Sequence, residues 1–497
     1  MDKPVAHLGG KTLRDVALAE IAATDWGNQA GSNRINAMVG DRPDWLISRQ
    51  RAWGVPLAMF VHKQTNQILI DEAVNARILS AMHEKGADAW FLSDAKTFLG
   101  DAHNPDDYEM VQDILDVWFD SGCTHAFVTR QRYGADTQAD LYLEGSDQHR
   151  GWFQSSLLQS CASRGQAPYK AVRTHGMIVD DKGRKMSKSL GNGVELDDVL
   201  KTHGMEILRL VYASADYASE LAMSKVILDQ AGETYRKLRN TIRYMLASLK
   251  DFDASTETVE YAQMPLLERW LLGRAHEISL EVQLAWRDYD FKRALSAVVD
   301  FANLDLSAFY VDVRKDALYC DAPDSLRRRA NRTALDLLFG RMLRWLAPFL
   351  PFTTEEAWST RYPDTASIHL QVLHDDPAQW ADSEIASRMA ALRDLRRVVT
   401  GALEVQRRDK VIGSSLEAAP LVYIANEHIR DAIGDEDLAE LFITSGVSLR
   451  NGDGPEGAFR LEDVAGVAVE FQRASGIKCA RSWKFFDPPL HWRAFPI

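Results

Sequence analysis

Up to about residue 200 the apolar positions of this chain fall in short runs broken by polar turns; beyond it they settle into a helical period. Residues 11–26, KTLRDVALAEIAATDW, predict a helix, and SNRINAMVGDRPDWLISRQRAWGVPLAMF follows, with arginines among aromatics ahead of an apolar run. Arg42, Arg49 and Arg51 there read as a surface for phosphate. ADLYLEGSDQ predicts a short buried strand, Leu141 to Leu143, running into a polar turn and then a helix, HRGWFQSSLLQSCA. YKAVRTHGMIVDD supplies the next strand, with a glycine- and lysine-rich loop, DDKGRKMSKSLGNG, directly after it. This strand, loop, helix order is of α/β type, and it places both polar clusters at the carboxyl ends of adjacent strands, where open α/β sheets bind ligands.

Further on, MPLLERWLLGRAHEISLEVQLAW carries apolar residues at Leu267, Trp270, Leu271, Ala275 and Ile278, one stripe of a helix. DYDFKRALSAVVDFANLDLSAFYVDVRK and PDSLRRRANRTALDLLFGRMLRWLAPFL predict two more long helices, and Thr353 with Glu356 fits a capping box opening a fourth. Together they make an all-α bundle. Residues 386–410 predict a further basic helix, and the tail turns mixed, with strand-like PLVYI and GVAVEFQ around the glycine-rich NGDGPEGA.

The chain has 497 residues, 46% hydrophobic and 26% charged, enough for two to four domains. No run approaches the roughly 20 apolar residues of a membrane span, and MDKPVAHLGGKTLRD has no apolar leader core, so a cytoplasmic protein without a membrane partner is expected. Cys123, Cys161, Cys320 and Cys479 form no C-x-x-C pair, which argues against a disulfide framework and an intact zinc site. A net charge of -13 excludes a protein that coats nucleic acid indiscriminately and leaves room only for local basic faces.

The common phosphate fingerprints G-x-x-x-x-G-K-[ST] and G-x-G-x-x-G are absent. Instead Lys185 and Lys188 stand three apart, with Ser187 and Ser189, between Gly183 and Gly191. Such a loop can close over a triphosphate and stabilise the charge that builds on departing pyrophosphate. On charge content alone, a solvated turn is favoured about two to one. In the other cluster Glu144, Asp147 and Gln148 suit an ammonium and a ribose diol, and Trp152 offers a flat apolar wall. His149 reads as a cap or phosphate contact rather than a base, and Asp116, Asp120, Asp180 and Asp181 as surface caps and turns.

Lys185-Met186-Ser187-Lys188-Ser189 is the KMSKS signature of class I aminoacyl-tRNA synthetases, and YLEGSDQHRGWFQSSLL, RPDWLISRQRAWGVP, DVWFDSG and LSAFYVDVRKDALYCD closely resemble the isoleucyl-tRNA synthetase family. The resemblance covers essentially the whole chain. It implies a partial Rossmann-type catalytic core, an anticodon-binding helical bundle and a small mixed tail. It also implies ATP-dependent activation of isoleucine and transfer to tRNA(Ile). The implied segments are the end of a connective insertion and a linking module (1–122), the second half of the catalytic fold (123–250), the bundle (251–375) and a truncated tRNA-contacting tail (376–497). By the same resemblance Glu144 meets the amino group of isoleucine and Trp152 its side-chain pocket. Gly145, Asp147, Gln148, His175, Gly176, Met186, Ser187 and Ser189 meet ATP or the adenylate, while Lys185 and Lys188 are catalytic, sharing phosphate charge with Mg2+. A monomer is expected.

Three departures stand out. The family's HxGH signature is missing: AHLGG has Gly10 where the second His belongs. Nothing is long enough to be the family's editing domain, which distinguishes valine from isoleucine where one methylene is worth only about 1–3 kcal/mol. The chain therefore resembles the second part of such an enzyme, with an N-terminal half expected elsewhere, and doubtful activity alone. The family's zinc tail is reduced to Cys479 with Ser482 at the partner position, so no metal is expected there. A second reading, a non-catalytic tRNA-binding protein or one piece of a split synthetase, draws on the basic windows RKLRNTIR, SLRRRANR and LRDLRRVVT.

Overall fold

The computed structural model describes residues 1–180, 182–186 and 191–486. It divides into two units, Met1–Val179 with Tyr217–Leu221, and Asp180–Asp216 with the chain from Ala222 onward.

In the first unit, α1 (Leu13–Ala23) opens on a capping box: the Thr12 hydroxyl accepts from the Asp15 N–H and the Asp15 carboxylate accepts from the Thr12 N–H. α2 is Gln29–Gly40. A small sub-module follows, in which β1 (Phe60–His62), α3 (Glu72–Lys85) and β2 (Tyr108–Met110) surround buried Phe60, Trp90 and Phe98. α4 (Val117–Gly122) leads to β3 (Ala139–Gly145), α5 (Trp152–Arg164) and β4 (Tyr169–His175). β3 and β4 pair in parallel, from Ala139 opposite Tyr169 to Gly145 opposite His175. Asp25 bridges Ala171 on the far side of β4. α1, α2 and α5 share one core with Tyr142, Tyr169 and Val172 of the strands.

The expected buried strand is buried only in part. Side chains alternate along a strand, so Tyr142 enters the helix-covered core while its neighbour Leu143 faces away and is 56% exposed.

The second unit is mainly helical. α6 (Leu196–Thr202) and α7 (Met205–Ser214) precede α8 (Lys225–Ser248) and α9 (Leu266–Arg287). α10 (Phe291–Asp300) continues as a π-helical segment, Phe301–Val311, and α11 (Lys315–Tyr319), α12 (Leu326–Leu346) and α13 (Pro351–Arg361) complete the bundle. The stretch Phe291–Val311 has the length and apolarity of a membrane span, yet Leu295, Val298, Phe301, Leu306 and Tyr310 are spent in the bundle core. In its π segment, Asp305 is buried between Arg274 and Arg393.

The capping box expected at Thr353 does not form. Pro351 opens α13, and the N–H groups of Phe352 and Thr353 and the Thr353 hydroxyl turn to the Glu206 carboxylate of α7. That carboxylate sits at the positive end of the helix dipole and replaces the local cap.

α14 (Ser383–Arg408) is the expected basic helix. The tail follows as β5 (Leu421–Ile424), α15 (Glu427–Ile433), α16 (Leu438–Phe442), β6 (Ser448–Asn451), β7 (Val467–Glu470) and the hairpin β8 (Ile477–Lys478) with β9 (Phe485–Phe486). β5 is central, parallel to β6 and antiparallel to β7.

A buried ion network joins bundle and tail. Arg314 holds both oxygens of Glu268 at 2.7 Å and Glu440 of α16 at 2.9 Å, and Arg327 reaches Glu440 at 3.1 Å. The Tyr310 hydroxyl lies 3.1 Å from the same Glu268.

Candidate active site

At the carboxyl end of β3 and β4 the structure brings together most of the residues that the sequence singled out in the first unit. Gly145 lies opposite His175 in the parallel register, so Glu144 and His175 end their strands side by side, with His175 Nε2 3.7 Å from Glu144 Oε1. Nδ1 of His175 donates to the Gly176 carbonyl, and Glu144 Oε1 accepts from the Gly145 N–H at 2.9 Å. A Cβ on Gly145 would stand 2.7 Å from Asp147 Oδ1, so this position has no room for a side chain. Gly176 is tighter still: its Cβ would lie 2.1 Å from the Ser219 carbonyl oxygen, in the segment whose Tyr217 carbonyl accepts the Gly176 N–H. The glycines thus leave backbone exposed at the strand ends beside two carboxylates, an arrangement suited to a polar ligand carrying a cation.

Beyond the turn, Gln148 Oε1 accepts from the Trp152 N–H at 3.1 Å, and so ties the turn to the start of α5. Trp152 stacks on Tyr142 with centroids 4.1 Å apart and donates from Nε1 to the Ser121 carbonyl. One face of the expected apolar wall is therefore covered by Tyr142, a residue whose part the sequence did not signal.

Several polar residues have structural work instead. His149 is 2% exposed, stacks on Trp26 and donates from Nδ1 to the Ser146 carbonyl. It makes no surface phosphate contact, and burial holds its pKa down. Arg49 pairs with Asp116 at 2.6 Å and Arg42 with Gln154 at 2.9 Å, leaving only Arg51 of the three exposed. Asp116 is a buried N-cap of α4 rather than a surface one.

His125 beside α4 has neither ring nitrogen partnered. Burial pushes its pKa down to about 4 from 6.5, with Arg164 and Arg130 acting in the same direction. The unfolded chain binds a proton that the folded chain refuses, so the stability this group contributes is present above about pH 6.5 and lost as pH falls toward 4. The variant His125→Leu is expected to flatten this part of the stability profile in urea titrations at stepped pH; an unchanged acid slope would contradict the assignment.

In the second unit, the loop is built on Asp180. Its carboxylate accepts from the Asn192 amide at 3.0 Å, from the N–H groups of Arg184 (2.9 Å) and Lys182 (3.0 Å), and from Arg184 Nε (2.9 Å). These bonds, the Asn192 amide foremost, hold its pKa well below the usual carboxylate range. Gly183 takes φ +73° at the turn. Asp180 is the turn residue the sequence suggests, and it leaves Lys185 exposed, without an ion pair among the described residues. Met186 is half-buried; Ser187, Lys188, Ser189 and Asp181 lie outside the described residues.

Of the basic windows, two are structural. Arg327, Arg328, Arg329 and Arg332 bind Asp321, Glu440, Glu257 and nearby carbonyls. Arg393, Arg396 and Arg397 bind Asp305, the Leu441 carbonyl, Asp394 and Asp463. The window on α8 differs: Arg236, Arg239, Asn240 and Arg243 form one exposed stripe, in which Arg236 pairs with Glu233. No group of three or more His, Cys, Asp or Glu able to hold a metal occurs among the described residues, and Cys479 Sγ accepts from the Ser482 N–H at 3.5 Å.

Comparison with known proteins agrees with this geometry. Residues 6–224 match the family described as tRNA synthetases class I (I, L, M and V), and residues 268–423 match the anticodon-binding domain of tRNA ligase. An isoleucine--tRNA ligase of Caulobacter vibrioides is 52% identical over 484 residues, 97% of this chain and 50% of that protein. One from Brucella abortus is 52% identical over 98% of the chain and 49% of its own length. The chain thus spans about half the length of these curated relatives. Among solved structures, a leucyl-tRNA synthetase (LeuRS) of Agrobacterium radiobacter K84, in ternary complex with tRNA and LeuAMS, matches with a TM-score of 0.53 at 15% identity. The match covers 80% of this chain and 49% of that one, a likeness of fold. On these matches the chain belongs to the class I aminoacyl-tRNA synthetases, as a homologue of the isoleucine--tRNA ligases.

Proposed function

We propose that this chain supplies the KMSKS-bearing half of an isoleucine--tRNA ligase, acting with the portion of such an enzyme that it does not itself span. The observation that supports this reading most is the cluster at the end of β3 and β4, where Glu144, Gly145, Asp147 and His175 assemble within the match to class I synthetases. In the reaction, the carboxylate of isoleucine attacks the α-phosphorus of ATP, pyrophosphate leaves, and the adenylate then passes its acyl group to a hydroxyl of the terminal adenosine of tRNA(Ile), releasing AMP.

The Glu144 carboxylate holds the ammonium of isoleucine, and Trp152 borders its side chain. Gly145 and Gly176 admit the adenylate against bare backbone, and Asp147 and Gln148 bind its ribose. Lys185 and Lys188 stabilise the charge that develops on pyrophosphate, a task for compact ammonium groups. Magnesium arrives on the triphosphate as part of the substrate. We assign residues 123–250 to this half-site, 251–375 to the anticodon-binding bundle and 376–497 to tRNA contacts.

The test is aminoacylation. The chain joined to the part of the Caulobacter relative that it does not cover is expected to charge tRNA(Ile) with isoleucine and not with leucine; charging with leucine at an equal rate would overturn the substrate assignment.

A second reading, tRNA binding without catalysis, is favoured by the exposed stripe on α8. The chain alone is expected to retain tRNA affinity that falls as salt rises. The pair Arg239→Glu and Arg243→Glu is expected to weaken it and to reduce the log–log salt slope by about 1 to 2. Filter binding across a salt series checks this, and an unchanged slope would remove α8 from the interface.

A further inference from the structure

The function proposed above uses none of the cysteines, and two of them are brought together from distant parts of the chain. Cys161 is fully buried, and Cys123 bonds Gln159 Oε1 at 2.8 Å. Cys320 instead caps the end of α11 and is partly exposed, while Cys479 stands at the turn of the β8–β9 hairpin, 7% exposed. The hairpin turn is well defined: the Cys479 N–H donates to the Lys484 carbonyl at 2.8 Å, and the Trp483 N–H to the Cys479 carbonyl at 3.0 Å.

Two contacts fix this turn to α11 on the residues preceding Cys320. Arg481 Nε donates to the Tyr319 carbonyl at 3.0 Å, and Lys484 Nζ pairs with Asp316 at 3.1 Å. The Arg481 guanidinium also reaches the Cys320 thiol, and the charge of a Cys479 thiolate is felt at Cys320. Two residues separate Cys479 from Arg481 and one separates Tyr319 from Cys320, so the two sulfurs belong to one cluster.

We propose that Cys320 and Cys479 form a reversible disulfide that clamps the tail hairpin to the helical bundle, with hydrogen peroxide as the oxidant. Cys320 is the more accessible and lies beside a guanidinium that favours its thiolate. Its sulfur attacks one peroxide oxygen; the S–O bond forms, the O–O bond breaks and hydroxide leaves, giving a sulfenic acid. The Cys479 sulfur then attacks the Cys320 sulfur, the S–S bond forms and the S–O bond breaks with loss of water. The hydroxide takes up the thiol proton, so two thiols lose two electrons and peroxide becomes two waters. A small-molecule dithiol reverses the step by exchange. The stretch closed by the bond runs from residue 320 to 479, and the crosslink constrains the unfolded chain over all of it.

The experiment uses the full chain, reduced, desalted and exposed to hydrogen peroxide in slight molar excess, then unfolded, alkylated and mapped by peptide mass spectrometry. Cys320 and Cys479 are expected to lose labelling in equal proportion and to reappear as one crosslinked peptide that dithiothreitol releases, while Cys161 remains labelled. In Cys479→Ser the crosslink is expected to vanish, and dimedone to add at Cys320. Oxidation of Cys320 without Cys479 in the wild-type chain would overturn the proposal. So would disulfides formed only between molecules, or full labelling of both thiols; these results come from the wild-type chain and stand even if the variant does not fold.

Discussion

Replacing Arg314 with Leu is expected to destabilise the second unit by about 3–5 kcal/mol, the largest effect of any single substitution outside the active site. The reason is the company Arg314 keeps. Glu268 is 0% exposed and receives two guanidinium N–H groups at 2.7 Å, so removing the arginine leaves a carboxylate with neither water nor a cation. The Tyr310 hydroxyl at 3.1 Å offsets only part of that loss. Glu440 keeps Arg327 at 3.1 Å, but loses the ligand that links α16 to the bundle. Urea unfolding measures the shift. A paired change, Arg314→Leu with Glu268→Leu, is expected to recover most of the stability, because it removes the stranded charge along with its partner. Arg236→Leu is the contrast: its partner Glu233 is exposed, so the expected change is within about 0.5 kcal/mol. Equal effects for Arg314 and Arg236 would refute the account of the network.

Lys185→Ala and Lys188→Ala are each expected to slow isoleucine-dependent exchange of pyrophosphate into ATP by about 10² or more in the joined polypeptide, mainly through the maximal rate. A group that acts on charge present only in the transition state lowers kcat, whereas one that binds ATP uniformly raises KM. Lys185 is available for this task because Asp180 consumes the other nearby cation: Arg184 is tied to the carboxylate by Nε and by its backbone, while Lys185 has no described ion pair. Steady-state kinetics over a range of ATP concentrations separates the two effects. A change confined to KM would recast the lysines as binding residues. Near-wild-type rates would remove them from the reaction.

The α/β unit, the bundle and the mixed tail were legible in the sequence because their signals are local. A helical stripe such as Leu267, Trp270, Leu271 and Ile278 needs only its own period to declare itself, and all four are buried. Two strands ending in glycine-rich polar turns likewise declare a sheet edge, and the register of Gly145 with His175 follows that reading. What the sequence could not show is where each charge finds its partner. Arg327 and Arg239 look alike along the chain; one is bound to Asp321 and Glu440, the other is exposed on α8.

Thr353 misled for the same reason. A capping box is a local pattern, but Glu206, 147 residues away, supplies a stronger acceptor than the local glutamate. Tyr142 gave no signal at all, since an aromatic in a strand is ordinary, and its part emerges only once α5 lays Trp152 over it at 4.1 Å. The pentapeptide from Lys185 to Ser189 was the most legible feature as a word. The structure adds the support beneath it: Asp180 and Asn192 brace the loop that carries Lys185.

The central claim is that this chain contributes one part of an isoleucine-activating site. Exchange of labelled pyrophosphate into ATP, measured with isoleucine for the chain alone and for the chain joined to the remaining portion of the Caulobacter relative, tests it most directly. The account predicts little or no exchange for the chain alone, and exchange dependent on isoleucine and on Lys185 for the joined polypeptide. Exchange by the isolated chain at the rate of an intact ligase, or none by the joined polypeptide although it is folded and binds tRNA, would contradict it.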